Sequence, residues 1–92
     1  MIQKYDETDQ SNPHLQAAFL EVVDNQINAN TPPETKQTLD RLIAQGISPE
    51  DARIYIAQAV CIEVWNILRH KKEFNLQRYL GNLKLLPNEP KE

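Results

Sequence analysis

Cysteine, glycine and positive charge are all scarce in this sequence, and each scarcity removes a class of protein. Cys61 is the single cysteine, so no disulfide can close within the chain and no thiolate zinc cluster can be built from it. Gly46 and Gly81 are the only glycines, which leaves no glycine-rich loop to cradle a phosphate. The formal net charge is −3 and the isoelectric point lies near 5.3. Nothing therefore supplies the summed positive field that a nucleic-acid backbone requires. No apolar run approaches the roughly 20 residues of a membrane span, because Arg53, Gln58, Glu63 and Asn66 interrupt the longest one. The start, Met1-Ile2-Gln3-Lys4-Tyr5-Asp6, is polar and has no secretory pattern. Nucleic acid and membrane are both excluded as expected partners, and the setting expected is the cytoplasm.

What is present suits one small folded unit. Of the 92 residues, 40% are apolar and 25% charged, too hydrophobic for a disordered chain and too few for two cores. Residues 1–11 carry Asp6, Glu7 and Asp9 without periodicity and are expected to form a loose arm. The folded domain is expected over 12–86, with a frayed tail over 87–92. Asn12-Pro13 is a helix start, and Leu15, Ala18, Phe19, Val22, Val23, Gln26 and Ile27 follow at helical spacing to about Asn28. Thr31-Pro32-Pro33-Glu34 gives a second start with Thr31 as cap. Its helix has a narrow stripe of Leu39, Leu42 and Ile43, ends at Gly46 and is expected on the bundle surface. Ser48-Pro49-Glu50-Asp51 restarts a helix at once, with Ile47 placed to staple onto Ala52. This third helix has no breaker from Pro49 to Lys71 and spans about 34 Å at 1.5 Å per residue. After Glu73-Phe74-Asn75, a short fourth helix holds Leu76, Tyr79, Leu80 and Leu83, with Asn75 as its cap.

Around the third helix, Ile54, Ile56, Ala57, Val60, Cys61, Val64, Trp65, Ile67 and Leu68 fall within one half of the wheel and are expected to be the core. The other half holds Gln58, Glu63, Asn66, Arg69 and His70, but Tyr55, Ala59 and Ile62 run down it as a second apolar seam. That seam needs a cover, either the fourth helix or a second subunit.

Chemistry-bearing residues are few and scattered. Cys61 sits between Val60 and Ile62 with no cation or His beside it, as a core cysteine does. His14 and His70 lack a ligand partner three or four residues away and read as surface residues. Arg69-His70-Lys71-Lys72 falls where the negative end of the helix dipole attracts cations. Glu63 borders the polar side and reads as a solvated or ion-paired carboxylate. Gln26 lies on an apolar face, which calls for a buried hydrogen bond that fixes helix packing. No nucleophile, base and orienting group occur together, so neither catalytic residues nor a cofactor are expected.

The order Asn12-Pro13-x-Leu15, Gln26, Pro32-Pro33, Asp51-Ala52, Trp65, then Tyr79-Leu80 after Phe74 resembles a family of small bacterial all-helical proteins classed as a domain of unknown function. The resemblance covers Asn12 to Leu86 and implies no assigned activity. It also implies histidines at the positions of Gln16, Leu20, Glu50 and Ile54, and acidic residues at those of Gln58 and Ile62. Such a stripe can hold a metal inside a bundle. In this chain those positions are mostly apolar or amide, which makes metal binding less expected.

The expectation is an all-α protein, a small three- to four-helix antiparallel bundle around one long central helix. Its expected role is a non-enzymatic helical interaction or oligomerisation module, most concretely a homodimer burying Tyr55, Ala59, Ile62 and Asn66, or a binder of another protein. The alternative is a metal-dependent helical enzyme or metal-binding protein using Glu63 and Asp24.

Overall fold

A computed structural model describes residues 13–91, so the expected arm and the Asn12 cap lie outside the described residues. The described residues form four helices, α1 (Pro13–Ala29), α2 (Pro33–Ala44), α3 (Pro49–His70) and α4 (Leu76–Leu85). No strand occurs among the described residues. The protein is all-α, and α3 is the helix on which α1, α2 and α4 all pack.

Local signals set most of the helix ends. The Ser48 hydroxyl accepts from the Asp51 N–H at 3.1 Å, and Asn75 accepts from the Arg78 N–H at 2.9 Å, each capping the helix that follows. Gly46, at φ 98°, ends α2 through two bonds, from its own N–H to Ile43 O and from Ile47 N–H to Leu42 O. Asn30, at φ 54°, ends α1 in the same way, with its N–H on Ile27 O and the Thr31 N–H on Gln26 O. Thr31 is thereby drawn into the end of α1. Its hydroxyl donates back to Ala29 O at 3.1 Å, and Pro32 takes the cap position of α2 with no side-chain bond. The expected capping box between Thr31 and Glu34 does not form, because α2 begins after the threonine has been used.

The core contains Phe19 and Val23 of α1, Leu42 of α2, Ile56, Ala57, Val60 and Cys61 of α3, and Tyr79 and Leu83 of α4. Three expectations about it are corrected. Ile67 and Leu68, placed in the core half of α3, are 36% and 58% exposed, in the last turn of α3 beyond the point where Asn75 N–H meets Glu63. Of the two readings of Glu63, solvated or ion-paired, the solvated one is overturned: it is ion-paired to Arg78 and fully buried, because α4 folds back over its side of α3. In α2 the inward face is Thr35, Thr38 and Leu42, while Ile43 is exposed. That helix packs against α1, α3 and α4 together, which brings its threonines inside.

The far end of α4 is also tied down. Arg41 of α2 donates to the carbonyls of Leu83 and Leu86, both at 2.9 Å, satisfying groups that a helix end leaves open. Asn82 grips the backbone of Lys91 on both sides, accepting from its N–H at 2.9 Å and donating to its C=O at 2.7 Å. The segment expected to fray from Pro87 is therefore tied back at Lys91.

The two glycines make opposite predictions. A methyl group at either one meets nothing within 4 Å, so only the backbone decides. Gly46→Ala, in the left-handed region, should cost about 1 kcal/mol in urea unfolding. Gly81→Ala, inside α4, should instead gain about 0.5–1 kcal/mol.

Candidate functional site

Three groups of polar side chains lie inside or between the helices. The first joins α1, α2 and α4. Tyr79 Oη donates to Gln26 Oε1 at 2.7 Å, so the Thr35 hydroxyl proton is shared between Gln26 Oε1 at 2.8 Å and Tyr79 Oη at 3.1 Å. Two protons serve three contacts, and the two hydroxyls and the Gln26 amide oxygen are matched by one another. The buried hydrogen bond expected of Gln26 is present, with partners 9 and 53 residues away.

The second group surrounds Glu63. Arg78 Nε donates to Oε2 at 2.6 Å and Arg78 Nη2 to Oε1 at 3.1 Å, while the Asn75 N–H donates to Oε1 at 2.9 Å. The arginine side chain keeps 27% of its surface exposed against 0% for the carboxylate. Hydrogen bonding to Glu63 holds the Arg78 guanidinium above its ordinary value, opposed by its own desolvation. The third group is a two-bond pair in which Arg53 Nε and Nη2 reach Asp24 Oδ1 and Oδ2 at 2.9 and 2.7 Å, joining the C-terminal half of α1 to the start of α3.

These groups separate the residues proposed for catalysis. Glu63 and Asp24 each belong to a different arginine, and their anchor points on α3, ten residues apart, are about 15 Å from one another along the helix. Among the described residues no three His, Cys, Asp or Glu side chains converge as metal ligands would. The family-implied stripe is half-buried at Gln16, Leu20, Ile54, Gln58 and Ile62 and exposed at Glu50. Cys61 is buried, and His14 and His70 are exposed. An open groove of about 230 Å³ between α2 and α4 is lined by Glu34, Gln37, Thr38, Arg41, Leu80, Leu83 and Lys84. It is smaller than the ~300 Å³ at which ligand pockets begin, and its arginine is already engaged with the end of α4.

The expected second seam divides. Ala59 is fully buried and Tyr55 packs against the core, next to the side of α3 that α4 covers at Glu63. Ile62 and Asn66 stay half-buried, and the Asn66 amide donates to the Ile62 carbonyl of its own helix at 2.9 Å. The exposed large apolar side chains lie outside the seam. Leu68, Leu76, Phe74 and Ile67 are 58, 49, 42 and 36% exposed, beside the exposed run Arg69-His70-Lys71-Lys72. Arg69 lies over the Trp65 ring, 4.8 Å from its centroid. The Phe74 ring meets Tyr79 edge-on with centroids 5.4 Å apart. No protein-family model, curated protein or solved structure matches the chain.

Two predictions test the buried groups. Arg78→Ala strands a carboxylate in the interior and should cost about 3 kcal/mol by denaturant unfolding. Adding Glu63→Gln to it should recover part of that loss in a double-mutant cycle. Burial raises the Tyr79 hydroxyl above its ordinary 10.0, and the Thr35 hydrogen bond lowers it by less. A raised folded value means that this contribution is complete below pH 10 and lost as pH rises through the folded value. Stability should therefore fall above about pH 10 in the native chain, and Tyr79→Phe should flatten that slope.

Proposed function

We propose that the chain is a non-enzymatic helical interaction module whose binding surface is the end of α3 and its connection to α4. The observation that carries this reading is exposure. Among the described residues, four of the five exposed large apolar side chains, Ile67, Leu68, Phe74 and Leu76, fall in one short stretch, Ile43 being the fifth. Scattered apolar residues are ordinary on any protein surface, whereas a concentration of them at one end of a small domain is what interaction surfaces carry. The bond from the Asn75 N–H to Glu63 sets Phe74 and Leu76, its neighbours in sequence, beside the stretch of α3 one turn before Ile67.

The homodimer expected through Tyr55, Ala59, Ile62 and Asn66 has less to support it. With Ala59 inside and Tyr55 on the core, that seam offers Ile62 and an amide that already donates within its own helix. Another protein is therefore the preferred partner over a second copy. A cytoplasmic setting suits the module, given one cysteine and no helix, among the described residues, long and apolar enough to cross a membrane.

Leu68→Ser combined with Leu76→Ser tests the reading at its base. If these side chains serve binding, each change should alter folding stability by no more than about 0.5 kcal/mol, and retention on a phenyl column should fall. A loss of more than about 2 kcal/mol would return both residues to the packing of the fold and remove the proposed surface. Light scattering should find a monomer at tens of micromolar, and a dimer broken by Ile62→Arg would restore the self-association reading in its place.

A further inference from the structure

Resting on that reading, we infer that the partner taken by this end of the molecule is an acidic amphipathic helix of another protein. Its apolar side lies on Leu68, Phe74 and Leu76, and its carboxylates meet Arg69, Lys71 and Lys72.

Charge is the deciding observation. The chain as a whole carries −3, yet the apolar end is bordered by three cationic side chains, Arg69, Lys71 and Lys72, all exposed. Attraction to the helix dipole accounts for Arg69 and His70 in the last turn of α3. It does not account for Lys72, which lies past the left-handed cap residue Lys71. The ion pairs among the described residues are Lys36–Asp40, Arg53–Asp24 and Arg78–Glu63, and none takes a charge from this cluster. Arg69 is held over the Trp65 ring, which fixes its guanidinium one turn from Leu68. An apolar surface with a basic border is complementary to an apolar stripe with an acidic border.

The same charges decide against the other occupants. A second copy joined through this surface would bring two identical basic runs together around the twofold axis. An anionic lipid surface is recognised by clusters of about four to eight Lys and Arg, whereas three occur here. An extended peptide has no sheet edge to join among the described residues, whereas an amphipathic helix can present an apolar stripe and a charged border together.

Trp65 is the chain's only tryptophan and half-buried beside this surface, so binding can be followed by its emission. The probe is a synthetic tryptophan-free helix of about 16 residues, with leucines at i, i+3, i+4 and i+7 and glutamates elsewhere. Its comparator carries lysine in place of every glutamate, and a third arm uses phosphatidylcholine–phosphatidylglycerol vesicles. With the full chain, the glutamate peptide should bind saturably, more weakly as salt rises. By calorimetry, Arg69→Glu combined with Lys72→Glu should weaken it about tenfold, and Leu68→Ser with Leu76→Ser should do the same at a thermal midpoint lowered by no more than about 4–8 °C. Equal binding of both peptides would overturn the acidic partner and leave the interaction module standing. Binding of neither, with a monomer in light scattering, would overturn both, and vesicle binding in place of peptide binding would overturn the protein partner.

Discussion

A carboxylate with no access to water costs several kcal/mol unless its oxygens are matched where they lie, and Glu63 has no exposed surface. Its match comes from the chain that follows α3. Arg78 supplies two guanidinium bonds and Asn75 a backbone N–H, so the chain has to reverse within residues 71–75 and begin α4 level with Glu63. Lys71 makes the reversal by taking the left-handed conformation at φ 55°. Asn75 then serves twice, its N–H on Glu63 and its side chain on the Arg78 N–H. The helix cap and the buried ion pair are thus one unit, and the direction of α4 follows from it.

Placing Arg78 also places Tyr79, its neighbour on the helix. The Tyr79 ring enters the core while its hydroxyl reaches Gln26 and Thr35, so α4 is registered on α3 by one residue and on α1 and α2 by the next. Each neutral hydrogen bond adds only about 1 kcal/mol net, but leaving any one of these groups unmatched inside costs about 1–3 kcal/mol. The polar triangle therefore contributes less to total stability than to uniqueness. An α4 rotated by one residue would strand a tyrosine hydroxyl, a glutamine and a glutamate together.

The parts of this architecture that were legible in the sequence are those that depend on neighbours along the chain. Ser48-Pro49, Gly46 and Asn75 mark helix ends because the groups they satisfy lie within a few residues. The all-α class and the long third helix follow from the same periodicity. Gln26 could be read as a buried hydrogen-bonding residue because an amide on an apolar face must find its partner inside. Asn30 carried a usable signal, an Asn ahead of Thr-Pro-Pro, although the threonine was the more obvious cap. What could not be read is whatever depends on the return of α4. A helical wheel assigns Glu63 and Ala59 to the polar side and Leu68 to the core side, since it sees the helix's own pattern and not its neighbours. Thr35 and Thr38 are inside for the same reason, because α2 is enclosed on three sides. Nothing along the chain pairs Glu63 with an arginine fifteen residues on.

The keystone at Glu63 also accounts for the exposed end. With α4 starting level with Glu63 and finishing on Arg41 of α2, the described chain from Ile67 to Gln77 is exposed throughout. Phe74 packs edge-on against Tyr79, but Leu68 and Leu76 are each about half exposed. Polar side chains at positions 68 and 76 would leave the ion pair, the cap and the polar triangle as they are, and would reduce the apolar surface open to non-specific association. Leucine at both positions, bordered by charges of the sign opposite to the rest of the chain, is a pattern that packing within this chain does not account for. It is the pattern on which the proposed interaction surface rests, and the same reversal that buries Glu63 holds Phe74 and Leu76 in place through Asn75.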